Sequence, residues 1–362
     1  MSSTPIDTII IGSGLTGLLL ARQLHHAGQS VILLEARETL GGRYRRQSAS
    51  SPFSSPTLDF FPATNENLSL LEWARAMAPA PIQVQVKEHR PQVFDEGKWK
   101  AFAGFGESHY QSVDELAYFA HAHEAVTEPG FEQVVRSLVE QLPITAHTMS
   151  EVTQFKMKDG QVDEVVVNGD KTFKASNYIF TPHPSLLNQL IAGEELPGKH
   201  RTRLARMQSW TSVVLELNHE PALVDDSAVR VFTHNAKEFE PVVGRVYGAK
   251  SKWMTPVPGD READHEFIGQ CIRHIKRQLK RAWPMAFEGK VEEKIYILAN
   301  ALGHHTLKVK ENFRFPEISN LYVANHCLAA YPGALSCWAV AKDLGSELAP
   351  DLKELPQLGA SC

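Results

Sequence analysis

The run Gly12-Ser13-Gly14-Leu15-Thr16-Gly17, followed by Glu35 and then by Gly41-Gly42-Arg43, has the residue types and spacing to hold an adenine dinucleotide. Gly12 and Gly14 let the backbone turn sharply and approach a pyrophosphate with no Cβ in the way, and Gly17 permits close helix–strand contact. The first N–H groups of a helix starting near Leu15 lack intrahelical partners and lie at the positive end of its dipole, so they offer an anion site. Glu35 is placed to accept hydrogen bonds from a ribose, and its charge disfavours a 2′-phosphate. The guanidinium of Arg43 is expected to grip the same pyrophosphate. Glycine, glycine and arginine at this place separate FAD from NAD.

Positioning these residues takes strands and helices. Thr8 to Ile11 and Val31 to Leu34 read as buried parallel strands. Between them a helix runs to about Ala27, with Leu20, Ala21, Leu24 and Ala27 on its sheet-facing side and Gly28 as its cap. Glu151 to Phe155 and Gln161 to Val167 alternate around Lys158-Asp159-Gly160 as a hairpin, and Thr172 to Phe180 reads as one more strand. Val93 to Phe102 predicts a second hairpin, turning at Asp95-Glu96-Gly97-Lys98. Ser48 to Pro56 is expected to be a loop.

The segment from Leu34 to Arg43 resembles the flavin-containing amine oxidase superfamily, which includes monoamine oxidases, renalase-like proteins, protoporphyrinogen oxidases and phytoene desaturases. Further pieces recur in the family's order: Leu58-Asp59, Glu128-Pro129-Gly130-Phe131, Val152, Ile179-Phe180-Thr181-Pro182, Asn320 to Asn325, and Tyr331-Pro332-Gly333-Ala334-Leu335 before a terminal helix. The resemblance implies an α/β fold in which a Rossmann-type FAD-binding domain with a parallel sheet is joined to an α+β substrate domain with a mixed sheet. Both domains are discontinuous: residues 1–62, 128–184 and 313–362 bind FAD, and residues 63–127 and 185–312 form the substrate domain. Beyond the glycine loop and Glu35, the resemblance implies FAD contacts from Ala36, Arg37, Gly41, Gly42, Arg43, Pro62, Ala63, Val152, Asn325, His326, Gly333, Ala334 and Leu335. His326, Tyr331 and Trp338 are the residues it places nearest the chemistry. The activity implied is hydride transfer from a small or medium organic substrate to flavin N5, with reoxidation by oxygen or another acceptor. The alternatives are a renalase-like oxidation of NAD(P)H and an accessory flavoprotein acting with a partner.

Four departures from the family's pattern mark the flavin end. Asn325-His326 stands where relatives have Gly-Asp, so a neutral hydrogen-bonding pair replaces a charge-assisted bond and weaker FAD retention is expected. Phe61-Pro62 replaces a run that is flexible in relatives, and Ser336-Cys337-Trp338 replaces a small Gly-Ala pair. The strand Trp210 to Leu217 has none of the lysine that many relatives hold beside N5, while Lys250 and Lys252, in a segment with turn character, are expected to be exposed.

With 362 residues and a net charge of −5, the chain is long enough for about two domains and is not suited to general nucleic-acid binding. From Asp264 to Trp283, Phe267, Ile268, Cys271, Ile272, Ile275 and Leu279 form an apolar stripe, with Arg273, Lys276, Arg277, Lys280 and Arg281 around it. That basic side is a solvated face or a docking face for an acidic protein partner. No run approaches membrane-spanning length, and the N-terminus lacks a basic region ahead of the first strand, so a cytoplasmic protein is expected. Cys271, Cys327, Cys337 and Cys362 show no C-x-x-C spacing and read as reduced thiols. His109, His121, His123, His304 and His305 have no third fixed ligand, so no metal is expected; His304, His305 and His326 are the histidines that could serve an active site.

Overall fold

The computed structural model of the chain describes residues 5–45, 58, 60–77, 82–88, 90–106, 112–121, 123–128, 130–207, 209–223, 228–233, 239–303, 313–328 and 333–350. The loop expected over Ser48 to Pro56, together with His109, His304, His305, Tyr331 and Cys362, lies outside the described residues.

The chain opens with β1 (Thr8–Ile11), α1 (Leu15–His26) and β2 (Val31–Leu34), as the apolar runs and glycines predict. It continues through β3 (Phe60–Pro62), α2 (Asn65–Met77), β4 (Gln83–Glu88), β5 (Gln92–Asp95), β6 (Lys98–Ala101), α3 (Val113–Phe119), β7 (His123–Glu128) and α4 (Phe131–Glu140). Then come β8 (Thr145–His147), β9 (Val152–Lys158), β10 (Gln161–Val167), β11 (Lys171–Phe173), β12 (Asn177–Phe180), α5 (Leu187–Leu190) and α6 (Gly198–Ala205). The last third holds β13 (Ser209–Glu220), β14 (Arg230–Phe232), β15 (Val242–Tyr247), β16 (Lys250–Pro258), α7 (His265–Ala282), β17 (Lys290–Gly303), β18 (Leu321–Val323) and α8 (Ala334–Leu348).

Two sheets matter for the site. A five-stranded parallel sheet has the order β18-β12-β1-β2-β8. Helix α1 packs along α8, and the crossing is close because Gly345 has no Cβ to strike the Gln23 side chain. Helix α2, which the expected division assigns to the substrate domain, shares the core of α1 and α8 through Leu70, Leu71, Ala74 and Met77. The second sheet is mixed, with order β17-β13-β16-β15-β14-β5-β6 and one parallel pair, β14 with β5. The chain is thus an α/β protein with a parallel nucleotide-type sheet and a mixed second sheet.

Strand β13 is buried on both faces because both are covered. Leu215 and Leu217 meet Ile275 and Leu279 of α7, while Trp210 and Val214 pack with Leu58, Phe60 and Phe119. Helix α7 begins where Asp264 accepts a hydrogen bond from Phe267 N, and it buries the apolar stripe read from the sequence. Arg273, Arg277, Lys280 and Arg281 are exposed on its far side.

Two local expectations are corrected. Thr172 to Phe180 is two strands: β11 pairs antiparallel with β10, whereas β12 joins β1 in the parallel sheet. One straight strand cannot serve both sheets, so the chain breaks between them, where Tyr178 donates to Asp163 O and accepts from Ala175 N. Lys250 and Lys252 lie in β16, between β13 and β15, and Lys252 is 2% exposed. It is buried because its alternation places it on the face of Glu216, its cross-strand neighbour, instead of in a turn.

Candidate active site

A groove of about 1060 Å³ runs between the parallel sheet and the edge strand β17 of the mixed sheet. One end is built by the glycine loop. Gly12 has φ 94°, and a Cβ there would strike Thr181 Oγ1; a Cβ on Gly17 would strike Gly12 O. Those two glycines serve chain packing. Gly14 differs, since nothing lies within 4 Å of where its Cβ would be and it lines the groove. A side chain there would fill space that the turn leaves clear for a ligand. Gly14 caps α1 without a side-chain hydrogen bond, and no acidic residue stands in the first turn, so the helix's first amides remain available to an anion.

Glu35 closes this end. Its Oε2 accepts from Ser13 N at 2.9 Å and Ser13 Oγ at 2.6 Å, and its Oε1 accepts from Arg37 N at 2.9 Å. A carboxylate has about four acceptor positions, so capacity is left for a ribose hydroxyl. The backbone of Glu35 is itself tied to His147 O and Ser150 N, which fixes the carboxylate at the sheet's carboxyl edge. Ala36, Arg37, Ser150, Glu151 and Val152 line the groove beside it. Arg37, Arg43, Arg45 and Lys294 oppose only Glu35 and Glu151 among the charged lining residues, a balance that suits a dianionic pyrophosphate. The residues present fit a dinucleotide.

At the middle of the groove Arg43 crosses from one sheet to the other. Its Nη2 donates to Ala299 O at 2.7 Å and to Asn300 O at 2.8 Å, both on β17. The expected grip on a pyrophosphate therefore rests on its remaining N–H groups. His326 Nε2 is 2.9 Å from Asn300 O and 3.3 Å from Arg43 Nη1. Burial, and Arg43 next, push the His326 imidazole down to about 3, so it is neutral. His183 is pushed down to about 4 by burial and then Arg43; its Nδ1 contacts Ser185 Oγ at 2.7 Å, and its buried Nε2 has no partner. Asn325 is committed to structure: Nδ2 donates to Thr181 O and Oδ1 accepts from Cys327 N, joining the ends of β12 and β18.

The inner end is apolar, walled by Leu58, Phe119, Met254, Leu298 and Leu302. Ser212 lines this end too; it is 1% exposed and its Oγ has no hydrogen-bond partner. Tyr296 lines the groove as well, its phenol raised by burial and by Glu216, and Glu216 and Lys252 are buried nearby. Burial pushes the Cys327 thiol up to about 12 and raises that of Cys337, so neither is a ready nucleophile.

Of the expected site residues, Gly12, Ser13, Gly14, Leu15, Thr16, Glu35, Ala36, Arg37, Gly42, Arg43, Val152, Asn325, His326 and Gly333 come together on the groove. Gly17 supports the loop from behind, and Gly41 turns the chain at φ 106°. Pro62 and Ala63 do not line it, because their backbones are tied to β7, with Pro62 paired to Glu124 and Ala63 N donating to His123 O. Ala334, Leu335 and Trp338 are core residues. Trp338 is fully buried edge-on to Phe131, 5.3 Å between centroids, so it packs the core around α1 and α4 and does not line the groove. Its neighbour Cys337 takes the groove position. Sequence reasoning missed His183, Ser212 and the stretch from Lys294 to Leu302, which carry no motif of their own. Among the described residues, no group of three or more His, Cys, Asp or Glu gathers to hold a metal, and no helix is long and apolar enough to cross a membrane.

Residues 10–64 match the family model described as NAD(P)-binding Rossmann-like domain. (S)-6-hydroxynicotine oxidase of Paenarthrobacter nicotinovorans is 51% identical over 47 residues, 13% of this chain and 11% of that protein. Amine oxidase [flavin-containing] B of Rattus norvegicus is 46% identical over 41 residues, 11% of this chain and 8% of that protein. The chain thus matches only about a tenth of the length of these relatives. Over nearly the whole chain the similarity is one of fold: cyclohexylamine oxidase from Brevibacterium oxydans IH-35A superposes with a TM-score of 0.67 at 13% identity, covering 97% of this chain and 100% of that one. The arrangement of the parallel and mixed sheets is accordingly the fold that cyclohexylamine oxidase shows.

Proposed function

We propose that the protein is an FAD-dependent oxidoreductase that removes a hydride equivalent from a small or medium, largely apolar organic substrate and passes the electrons to oxygen or another acceptor. The observation that carries this reading is the continuity of the groove. It joins the open space at Gly14 and the carboxylate of Glu35, which suit an ADP moiety, to an apolar chamber. The NAD(P)-type match covers the first βαβ unit, and in Rossmann-type domains that unit holds the ADP half common to both dinucleotides. Gly42, Arg43 and His326 extend the groove beyond it toward the mixed sheet, where a flavin ring would lie. When bound, FAD supplies the redox chemistry.

The chain's own residues do the rest. Glu35 and the α1 amides hold the adenosine and phosphates. Leu58, Phe119, Met254, Leu298 and Leu302 exclude water and receive apolar surface. The test is an FAD titration followed by anaerobic addition of a panel of primary and secondary amines and cyclic alcohols, read as bleaching of the flavin band. Failure to bind FAD at saturating concentration would sink the reading. Rapid, saturable bleaching by NADH would instead favour NAD(P)H oxidation, a reaction for which the cationic groove has the right sign of charge.

A further inference from the structure

Strand β17 leaves the ladder beside the groove. Trp210 pairs with Leu302 and Ser212 with Leu298, so four residues of β17 oppose two of β13 over this step. Such a bulge re-aims backbone groups that would otherwise bond across the sheet. Asn300 lies within it at φ 53°, a left-handed conformation that costs a non-glycine residue about 1 kcal/mol or more unless its surroundings hold it. The hold is visible: Asn300 Oδ1 accepts from Ser209 Oγ, and Ser209 is crowded from behind by Gly259, where any Cβ would meet Ser209 O.

The bulge turns two carbonyls across the groove. Ala299 O and Asn300 O receive both hydrogens of Arg43 Nη2, and Asn300 O also receives His326 Nε2 at 2.9 Å. A ring nitrogen that close to a carbonyl oxygen must carry its proton, because two acceptors repel. Arg43 Nη1, 3.3 Å from the same nitrogen, therefore does not donate to it. His326 Nδ1 is left as a lone-pair acceptor, and Arg43 keeps Nε and Nη1 as donors.

We propose that Asn300 is the positioning residue of this groove: its strained carbonyl fixes His326 in the Nε2–H form and pins Arg43 by one nitrogen, so a hydroxyl donor is received at His326 Nδ1 and an anionic oxygen at the free edge of Arg43. The identity of that ligand as a flavin dinucleotide rests on the proposed function. The positioning role does not.

Two measurements separate the two. In protein labelled with 15N-histidine and free of FAD, with the His326 signals assigned from His326→Gln, Nε2 is protonated and Nδ1 bare. Asn300→Gly keeps access to positive φ and retains this pattern. Asn300→Val cannot take positive φ, so His326 shows mixed tautomers and FAD binding weakens at least tenfold while far-UV circular dichroism is unchanged. If Asn300→Val does not fold, Ser209→Ala loosens Asn300 without touching the groove and gives the same changes in smaller measure. A wild-type His326 protonated on Nδ1, or tautomer and FAD affinity both unmoved in Asn300→Val and Ser209→Ala, overturns the proposal. Loss of FAD binding in the wild type with the tautomer as stated would overturn the cofactor assignment and leave the role of Asn300 standing.

Discussion

Glu35 lies across the first turn of the glycine loop, its Oε2 2.6 Å from Ser13 Oγ and 2.9 Å from Ser13 N. One carboxylate thus shapes the loop and, lining the groove, keeps acceptor capacity for the proposed ribose. Glu35→Gln keeps the volume but exchanges a charged acceptor for a neutral one. We expect FAD affinity to fall about tenfold or more, with a stability loss of about 1–3 kcal/mol from the weakened contacts with Ser13. Isothermal titration with FAD and urea denaturation measure the two, and an unchanged affinity would show that Glu35 serves the loop alone.

Gly14 and Gly17 separate ligand from fold. Gly14→Ala adds a methyl to open groove space, so the apo protein should keep its melting temperature. FAD at a hundredfold excess over the wild-type Kd stabilises the wild type by about 2.7 kcal/mol. The same FAD concentration should give little or no thermal shift in Gly14→Ala. Gly17→Ala drives the methyl into Gly12 O and should lower the melting temperature even without FAD. Equal apo melting temperatures for the two variants would contradict this assignment.

Ser212 keeps a buried hydroxyl with no partner on the apolar end of the groove. Removing such a group relieves a desolvation cost, so Ser212→Ala should be more stable by about 1 kcal/mol in urea. Destabilisation by Ser212→Ala would mean that the hydroxyl is satisfied inside the fold.

Acid should loosen the protein through its groove histidines. His326 and His183 are held near 3 and 4, whereas in the unfolded chain they titrate near 6.5. The unfolded state therefore binds more protons over this window, and stability falls as pH drops from about 6.5 toward 4. Their full contribution is present above pH 6.5. Urea midpoints from pH 7.5 to 4 should slope less steeply in the His183→Gln, His326→Gln double variant, and parallel slopes would contradict the buried, neutral state of both rings.

The glycine loop, β1, α1, β2 and Glu35 were legible because they are local: each residue's role follows from neighbours within one βαβ unit. The α7 stripe and both hairpins were legible for the same reason, through periodicity and turn residues. The opposite wall was not, because Ala299, Asn300 and Ser212 act through strand pairing that only the assembled sheet creates. Trp338 was misplaced by one residue of helical rotation. Gly333, which caps α8, and Cys337, four residues on, both line the groove, and Trp338 is turned toward Phe131. Lys252 was misread because a strand flanked on both sides buries charge that an edge or turn would expose.

The amide of Asn325, tying β12 to β18, gives the chain an order of completion. During synthesis the glycine loop precedes most of its supports: its sheet lacks an edge strand until Leu321–Val323 is made, and α1 lacks its packing partner until Ala334–Leu348 follows. A nascent chain therefore carries the glycine loop in an unfinished groove, and on the proposed reading a dinucleotide can be held only after the residues through Leu348 have been made.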